Sequence, residues 1–344
     1  MTLWLGILLV IVAGICNALF AAPMKRMPKW EWENQWGMWA VWALLVSAWS
    51  LALLSVPDLG GVYCTVPLAV CVTTFLLGAG GGIGMVTCGL GLHLMGFSLG
   101  FSIILGLTAV TGSLVPMLIH SPATLLSPGG KLILLGLAAT VAGVGCCGFA
   151  GMIRERRMAA TTGGPAGRNR FLAGLLVCIT SAVFNSMINL AFTAGAPIAE
   201  VVRSLYPGPL AGFQATNAVW ALGMTGAFLP NAIYCGWLLW HRGSARKFTA
   251  TGTGSYWFWT LVMGAVWLGG YALYGVSTTM LGSFGTTAGW IVFFAMTVLT
   301  GNVMGVVTGE WKGTSGAAQR WMTFGILLLL CAIFVVGIGS AKAQ

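Results

Sequence analysis

The chain has 344 residues, of which 58% are hydrophobic and only 6% are charged. Because a soluble domain carries about 25% charged residues, this composition excludes an ordinary soluble protein and predicts a lipid environment. The net charge of +10 comes mainly from Lys and Arg residues in loops between apolar runs. Basic residues at such positions act as topology signals and contact lipid headgroups, so we expect the lipid bilayer, and no nucleic acid, as a partner.

Ten apolar runs are long enough to cross a membrane, for which a helix needs roughly 20 residues. The runs are 3–22, 35–56, 67–92, 97–119, 131–153, 171–192, 212–240, 257–279, 283–308 and 321–340. They are continuously apolar rather than alternating, which disfavours a β-barrel. No basic residues precede the first run as they would in a signal peptide, so we expect it to be retained. The predicted fold class is an all-α membrane protein with ten transmembrane helices.

Basic residues are unequally shared between the two sides of the predicted bundle. The loops that follow odd-numbered runs carry thirteen of the 16 Lys and Arg residues. The opposite side, including both termini, carries only Lys131, Arg203 and Lys342. Basic loops stay in the cytoplasm, so this bias predicts that both termini are periplasmic.

A basic, Gly- and Thr-containing stretch divides the chain near its middle. We predict a first five-helix repeat in 1–153, a basic cytoplasmic linker in 154–170 and a second five-helix repeat in 171–344. The halves are faintly similar, since Asn17 matches Asn185 at an offset of 168, and Gly84 matches Gly270 at an offset of 186. An odd number of spans per half predicts two inverted repeats, the architecture of many secondary transporters, with a substrate site at their interface.

Residue groupings typical of enzymes and metal sites do not occur in the sequence. There is no HExxH or GxSxG motif, no CxxC pair among the nine cysteines, and the three histidines are scattered. The Gly-rich stretch 77–84 lies inside an apolar run, which favours close helix packing over nucleotide binding. We therefore expect no enzyme, no metal and no cofactor.

Several polar residues inside the runs are candidates for a substrate site. Asn17 and Asn185 either join helices by hydrogen bonds or recognise hydroxyl groups of a substrate. Tyr271 and Tyr274 share one helical face, and with Trp290 they either pack in the core or stack on a sugar. Further lining candidates are Trp36, Gln214, Asn217 and Asn231.

Transport coupled to an ion requires a titratable group, and Glu33 and His93 are the candidates. Glu33 lies at the cytoplasmic start of the second run among Trp residues. It is either a helix-start acid favoured by the helix dipole or a proton-binding carboxylate whose pKa apolar neighbours raise. His93 lies between runs three and four and is either an interfacial loop residue or a second proton site.

Three stretches resemble the L-rhamnose–proton symporter family of the drug/metabolite transporter superfamily. Residues 20–33 read F-x-A-P-x-K-R-x-x-K-W-x-W-E, and the Gly-rich stretch 81–116 follows the family pattern. Near the C-terminus the GEW of 309–311 and the VGIG of 336–339 match as well. In this resemblance Glu33 corresponds to the acid of the WxWE motif, and Glu310 to an acid before the last span.

The resemblance implies a multi-pass protein of the bacterial inner membrane that imports L-rhamnose or a related 6-deoxyhexose or monosaccharide with protons. Alternating access would carry the sugar, with a proton as the coupling ion and sodium as the alternative. The runner-up function is a metabolite exporter or exchanger of the same superfamily. The sequence leaves the oligomeric state open.

Overall fold

The computed structural model describes residues 2–95, 97–120, 122, 126–159, 168–282, 285–307, 309, 311 and 314–342. In these ranges, ten segments are long and apolar enough to cross a membrane, and we number them spans 1 to 10. They are Leu3–Arg26, Trp32–Ser55, Leu68–Leu92, Gly100–Ile119, Pro128–Arg154, Leu172–Leu205, Ala211–His241, Gly254–Met280, Gly285–Val307 and Gly316–Ala341. The predicted all-α fold with ten spans is confirmed.

The regular elements of the described residues are all helical. The α-helices are α1 (Thr2–Leu19), α2 (Trp32–Ala40), α3 (Ala48–Ser55), α4 (Leu59–Thr65), α5 (Leu68–Met95), α6 (Phe97–His120), α7 (Pro128–Ala159), α8 (Arg168–Ala194), α9 (Ala196–Leu205), α10 (Ala211–His241), α11 (Gly254–Met280), α12 (Gly285–Val307) and α13 (Gly316–Ala341). Short 3-10 helices cover Ala22–Arg26 and Ser244–Thr249. The short helices α4 and α9 were not predicted, because a search for apolar runs of about 20 residues passes over them.

Local sequence signals mark several helix ends. The Asp58 side chain accepts a hydrogen bond from the Gly61 N–H at 2.8 Å and caps α4, and Ser315 caps α13 in the same way. Gly243 and Gly282 follow α10 and α11 with φ of 62° and 75°. Glycine adopts this left-handed conformation without a Cβ clash, which lets the chain turn back towards the next helix.

Span 2 contains a π-helical segment, Val41–Ser47, that joins α2 to α3. Gly264 of α11 packs directly on this segment, since a Cβ at Gly264 would lie 2.6 Å from the Trp42 Cβ and 2.9 Å from the Ala43 nitrogen. Segments of this kind are uncommon and often lie at functional sites. Span 2 is therefore irregular at the point where it meets the second half of the chain.

Several of the helix neighbours correspond between the two halves of the chain. Span 3 packs on spans 6 and 7, and span 8 packs on spans 1 and 2. Span 4 packs on span 6 as span 9 packs on span 1, and spans 5 and 10 pack on each other. These pairs of spans map onto each other when each span is replaced by the one five positions away, whereas the contact of span 6 with span 7 has no comparable counterpart between spans 1 and 2.

Individual contacts of glycines and threonines are also similar in the two halves of the chain. A Cβ at Gly84 would lie 2.3 Å from the Asn185 nitrogen, and one at Gly270 would lie 3.0 Å from the Ala13 carbonyl oxygen. Likewise, the Thr108 hydroxyl lies 3.2 Å from the Ala182 carbonyl oxygen, and the Thr297 hydroxyl lies 3.4 Å from the equivalent carbonyl of Gly14. These contacts agree with repeated halves, while the inverted relation and the domain boundaries stay predictions.

Candidate functional site

The connections between spans 1 and 2 and between spans 7 and 8 meet at one end of the bundle, which we call the basic face (residues 20–31 and 242–253). Lys29 Nζ donates to the Thr251 carbonyl at 2.8 Å, and the Trp30 indole donates to the Lys247 carbonyl at 3.0 Å. The Glu31 carboxylate pairs with Lys247. Two loops predicted on the same side of the membrane therefore do lie together.

Glu33 is fully buried in the first turn of α2 at the basic face. Its Oε2 lies 3.2 Å from Arg242 Nη1, and its Oε1 accepts a hydrogen bond from the Ser244 hydroxyl at 2.7 Å. Asn34 adds a bond from its Nδ2 to the Ser244 carbonyl at 3.0 Å. The expected apolar surroundings of Glu33 are thus replaced, on one side, by an ion pair with the second half of the chain.

Arg242 and Ser244 were not identified from the sequence. A signal for Arg242 did exist, because it is the first basic residue after span 7 and lies in a loop predicted on the side of Glu33. The side chain of Arg242 is 56% exposed, so the pair has a buried acid and a base that reaches water.

Four aromatic side chains form a cluster next to the basic face, which we call the aromatic box: Phe20, Trp36, Trp39 and Trp267. Trp39 lies at its centre, with ring centroids 4.4 Å from Trp36, 5.3 Å from Phe20 and 5.2 Å from Trp267. Phe20 also approaches Trp36 and Trp267, at 6.2 and 6.4 Å. Of the four, only Trp36 was predicted as a site residue.

The ring contacts continue from the box into the bundle. Trp267 contacts Tyr271 at 4.3 Å, and Tyr271 contacts Trp220 at 5.4 Å with perpendicular rings. Tyr274 follows, 5.5 Å from Trp290. Tyr271, Tyr274 and Trp290 are all buried, so the predicted aromatic residues do belong to one connected set of rings.

Buried indole groups differ in whether they have a hydrogen-bond partner. Trp36 donates to Asn231 Oδ1 at 2.9 Å, and Trp290 donates to the Thr108 carbonyl at 3.0 Å. In contrast, the buried indole nitrogens of Trp39, Trp42 and Trp220 have no partner among the described residues. An unpaired buried donor costs roughly 1–3 kcal/mol, so each of these positions calls for a physical explanation.

A second polar group, centred on Asn189, joins spans 4, 6, 8 and 9. The Tyr274 hydroxyl donates to Asn189 Oδ1 at 2.5 Å, and Asn189 Nδ2 donates to the Gly112 carbonyl at 2.8 Å and faces the Thr286 carbonyl at 3.3 Å. Asn189 was missed from the sequence, although it follows Asn185 by four residues and so shares its side of α8. Tyr274 here has a structural partner.

The two symmetry-matched asparagines have different partners. Asn17 Nδ2 donates across helices to the Thr297 hydroxyl at 3.2 Å, which agrees with the interhelical interpretation. Asn185 Nδ2 bonds within its own helix, to the Ser181 carbonyl at 3.0 Å. Both side chains are half-buried, so both keep accessible surface.

The predicted polar residues of α10 lie too far apart to line one sugar site. Gln214 Nε2 donates to the Ser55 carbonyl at 2.7 Å, and Asn217 Nδ2 lies 3.4 Å from the Ser55 hydroxyl, away from the basic face. Asn231 lies 17 residues further along the helix than Gln214, which is about 25 Å at 1.5 Å per residue. Of this group, only Asn231 reaches the aromatic box, through Trp36.

The other titratable candidates, His93 and Glu310, lie wholly or partly outside the described part of the chain. The backbone of His93 lies in α5, but its side chain is outside the described part of the chain, as is Glu310. Among the described residues, no group of three or more His, Cys, Asp or Glu side chains could hold a metal ion.

Comparisons with known proteins give a consistent result over the full chain. A profile of the L-rhamnose-proton symport protein family (RhaT) matches residues 1–342. The L-rhamnose-proton symporters of Yersinia pestis (strain Pestoides F) and Citrobacter koseri are each 26% identical to this chain, with 98% of both chains covered. A solved crystal structure with 16% identity has a TM-score of 0.51, covers 97% of this chain and 94% of that chain, and shows a shared fold.

Proposed function

The chain belongs to the L-rhamnose-proton symport protein family, and from this premise we propose that it imports L-rhamnose together with protons across a bacterial inner membrane. The observation that carries the proposal is the family match over residues 1–342. Relatives named L-rhamnose-proton symporters also match this chain over 98% of their length. Their name favours a proton over sodium as the coupling ion. The ten spans supply the membrane part of this function.

The basic face is proposed to lie in the cytoplasm, with both chain termini in the periplasm. Support comes from the excess of Lys and Arg in the loops after odd-numbered spans. The contact between the loops at residues 20–31 and 242–253 agrees with this assignment, because both loops are basic and share one end of the bundle.

We assign the sugar to the interface between two inverted halves, along the connected rings from the aromatic box to Trp290. The matched contacts of Gly84 with Asn185 and of Gly270 with Ala13 support a repeated architecture. In such transporters the substrate site lies between the repeats, and rocking of the halves exposes it to each side in turn. Asn17, Asn185 and Tyr271 retain polar atoms for sugar hydroxyls in this arrangement.

Glu33 is proposed as the proton-coupling carboxylate, and its ion pair with Arg242 suggests how. The pair connects span 2 of the first half with the end of span 7 in the second half. A proton on Glu33 would remove the negative charge that attracts Arg242, and would weaken this contact between the halves. Arg242 and Ser244 are the side chains that bond to the Glu33 carboxylate.

Coupling requires that protonation and sugar binding favour the same conformation, because otherwise the proton gradient does no work. The contact at the basic face meets this requirement if it opens when Glu33 is neutral and sugar is bound, and stays closed when only one of the two is bound.

Transport into vesicles that contain the purified protein tests the function. With an acidic exterior, labelled L-rhamnose is expected to accumulate, and a protonophore is expected to abolish the accumulation. A sodium gradient of the same size, without a pH gradient, serves as the control and is expected to drive nothing. Accumulation that survives the protonophore would contradict proton coupling, and no uptake of L-rhamnose would contradict the substrate.

A further inference from the structure

We propose that the aromatic box binds one face of the sugar, with the indole N–H of Trp39 as the hydrogen-bond donor to a sugar oxygen. This inference rests on the proposed sugar transport, and it assigns a specific part of the substrate site. Trp39, Phe20 and Trp267 were not among the residues predicted from the sequence. They are assigned here from packing and from the unpaired donor.

The unpaired donor is the first observation that points to a ligand. Trp39 is 1% exposed, and its Nε1 has no hydrogen-bond partner among the described residues. Trp30 and Trp36, on the same segment of the chain, do have partners for their indole groups. Buried polar groups in proteins are nearly always paired, so a buried donor without a protein partner is a natural position for a bound molecule.

The arrangement of rings around Trp39 is the second observation. Trp36, Phe20 and Trp267 lie 4.4 to 5.3 Å from the Trp39 ring and surround it with aromatic surface. Monosaccharides have apolar C–H faces that pack on aromatic rings, and oxygen atoms at their edges that need hydrogen-bond donors. The aromatic box offers ring surface for the C–H face of a sugar, and the Trp39 indole offers a hydrogen-bond donor for a sugar oxygen.

The box also has an accessible side. Phe20 and Trp36 are partly exposed, whereas Trp39 and Trp267 are buried. Asn17 precedes Phe20 by three residues and is itself half-buried, whereas Asn231 is fully buried and already accepts the indole hydrogen of Trp36. The Asn17 amide is therefore the group available for hydroxyl groups that the rings leave unpaired.

Both halves of the chain contribute to the box. Phe20 follows α1, Trp36 and Trp39 belong to α2, and Trp267 belongs to α11. A rocking motion of one half against the other would change the distance between Trp267 and the other three rings. The box is thus expected to hold sugar more tightly in one conformation than in the other, so that sugar binding favours that conformation.

The test compares two Trp→Phe substitutions within span 2. Trp39→Phe keeps an aromatic ring in the box and removes only the unpaired donor and part of the ring area. The matched control is Trp49→Phe, because the Trp49 indole donates to the Thr225 hydroxyl at 2.8 Å and lies outside the box. For both variants we would measure KM for L-rhamnose in vesicles, and the thermal midpoint in detergent with and without L-rhamnose.

For Trp39→Phe we expect KM to rise about 3- to 10-fold, and the thermal midpoint in the absence of sugar to fall only through lost ring packing, since no protein hydrogen bond is lost. For Trp49→Phe we expect a lower midpoint and an unchanged KM. A purely structural role for Trp39 would lower the midpoint and leave KM unchanged, which would overturn the proposal.

A measurement of sugar binding without transport distinguishes a failure of proton symport from a failure of the sugar site at Trp39. If L-rhamnose stabilises the wild-type protein in detergent but no proton-driven accumulation occurs, symport fails, and the loss of stabilisation in Trp39→Phe still supports the box. A Trp39→Phe protein that is stabilised by L-rhamnose at the same sugar concentrations as wild type contradicts the box. A wild-type protein that no monosaccharide stabilises also contradicts it.

Discussion

The buried carboxylate of Glu33 lies 3.2 Å from the Arg242 guanidinium, although 209 positions separate the two residues in the sequence. This pair links the first turn of span 2 to the residue that follows span 7. It places a charged contact between the two halves of the chain at the end of the bundle where most described basic loop residues lie.

Replacement of Glu33 is expected to separate sugar binding from proton coupling. Glu33→Gln keeps the hydrogen bond with Ser244 possible but removes the negative charge, so we expect L-rhamnose exchange to continue while proton-driven accumulation falls to simple equilibration. Counterflow and gradient-driven uptake in the same vesicles measure the two activities. Glu31→Gln is the control, since Glu31 is an exposed acid two residues before Glu33, and it should keep accumulation. Normal accumulation by Glu33→Gln would remove Glu33 from the coupling role.

The stability of the pair can be measured independently of transport. Arg242→Gln leaves a buried carboxylate without its counter-charge, and we expect a loss of about 1.5–3 kcal/mol in the free energy of unfolding, because Arg242 is half-exposed and water replaces it in part. The double variant Glu33→Gln/Arg242→Gln should recover most of this loss. A thermal double-mutant cycle in detergent provides the measurement, and strictly additive effects would show that the two residues are not coupled.

The Asn189 group predicts a difference between two neighbouring tyrosines. Tyr274→Phe leaves Asn189 Oδ1 without its donor and is expected to cost about 1–3 kcal/mol in stability. Tyr271→Phe should cost less, since the Tyr271 hydroxyl forms no hydrogen bond with a described residue. Thermal unfolding of both variants tests this order, and equal losses would argue against the hydrogen bond to Asn189.

Close helix packing predicts opposite results for two glycines of α10. A Cβ at Gly226 would lie 2.0 Å from the Phe75 carbonyl oxygen, so Gly226→Ala must push α5 and α10 apart, at about 1–3 kcal/mol. Gly236, on the same helix, has no atom within 4 Å of its Cβ position. Gly236→Ala is therefore expected to be neutral or to stabilise the helix by about 0.5–1 kcal/mol. The thermal midpoints of the two variants test this expectation. A Gly226→Ala protein with the midpoint of wild type would contradict the close contact between α5 and α10.

The exposed pair at the basic face predicts a small dependence of stability on pH. The hydrogen bond from Lys247, and then its charge, lower the pKa of Glu31 below its ordinary value of 4.5. A lowered pKa in the folded protein means that the pair stabilises above pH 4.5 and that this contribution disappears as the pH falls through the folded value. Wild type should thus exceed Lys247→Met in thermal midpoint at pH 7, and the difference should shrink as the pH falls below 4.5. If the difference in midpoint between wild type and Lys247→Met grows as the pH falls, the pKa of Glu31 is not lowered by Lys247.

Much of the membrane architecture follows from the sequence because it depends on local properties. The ten apolar runs match the ten spans, since a hydrocarbon environment requires about 20 apolar residues with internally paired backbone groups whatever their neighbours are. The short α4 and α9 and the π segment at Val41–Ser47 did not follow. The two short helices lie below the length of a span, and the π segment packs against Gly264 of α11, a contact that no local pattern encodes.

The same distinction between local properties and distant contacts applies to the candidate site. That Glu33 is an unusual acid at the start of a span, and that Trp, Tyr and Asn residues are polar groups available inside the membrane, follows from the sequence. The folded structure is needed to see that Arg242 faces Glu33, that Asn189 accepts the Tyr274 hydroxyl, and that the Trp39 donor has no partner among the described residues. Composition limits which groups can lie in lipid, whereas the pairing of a buried polar group is set by whichever distant helix packs against it.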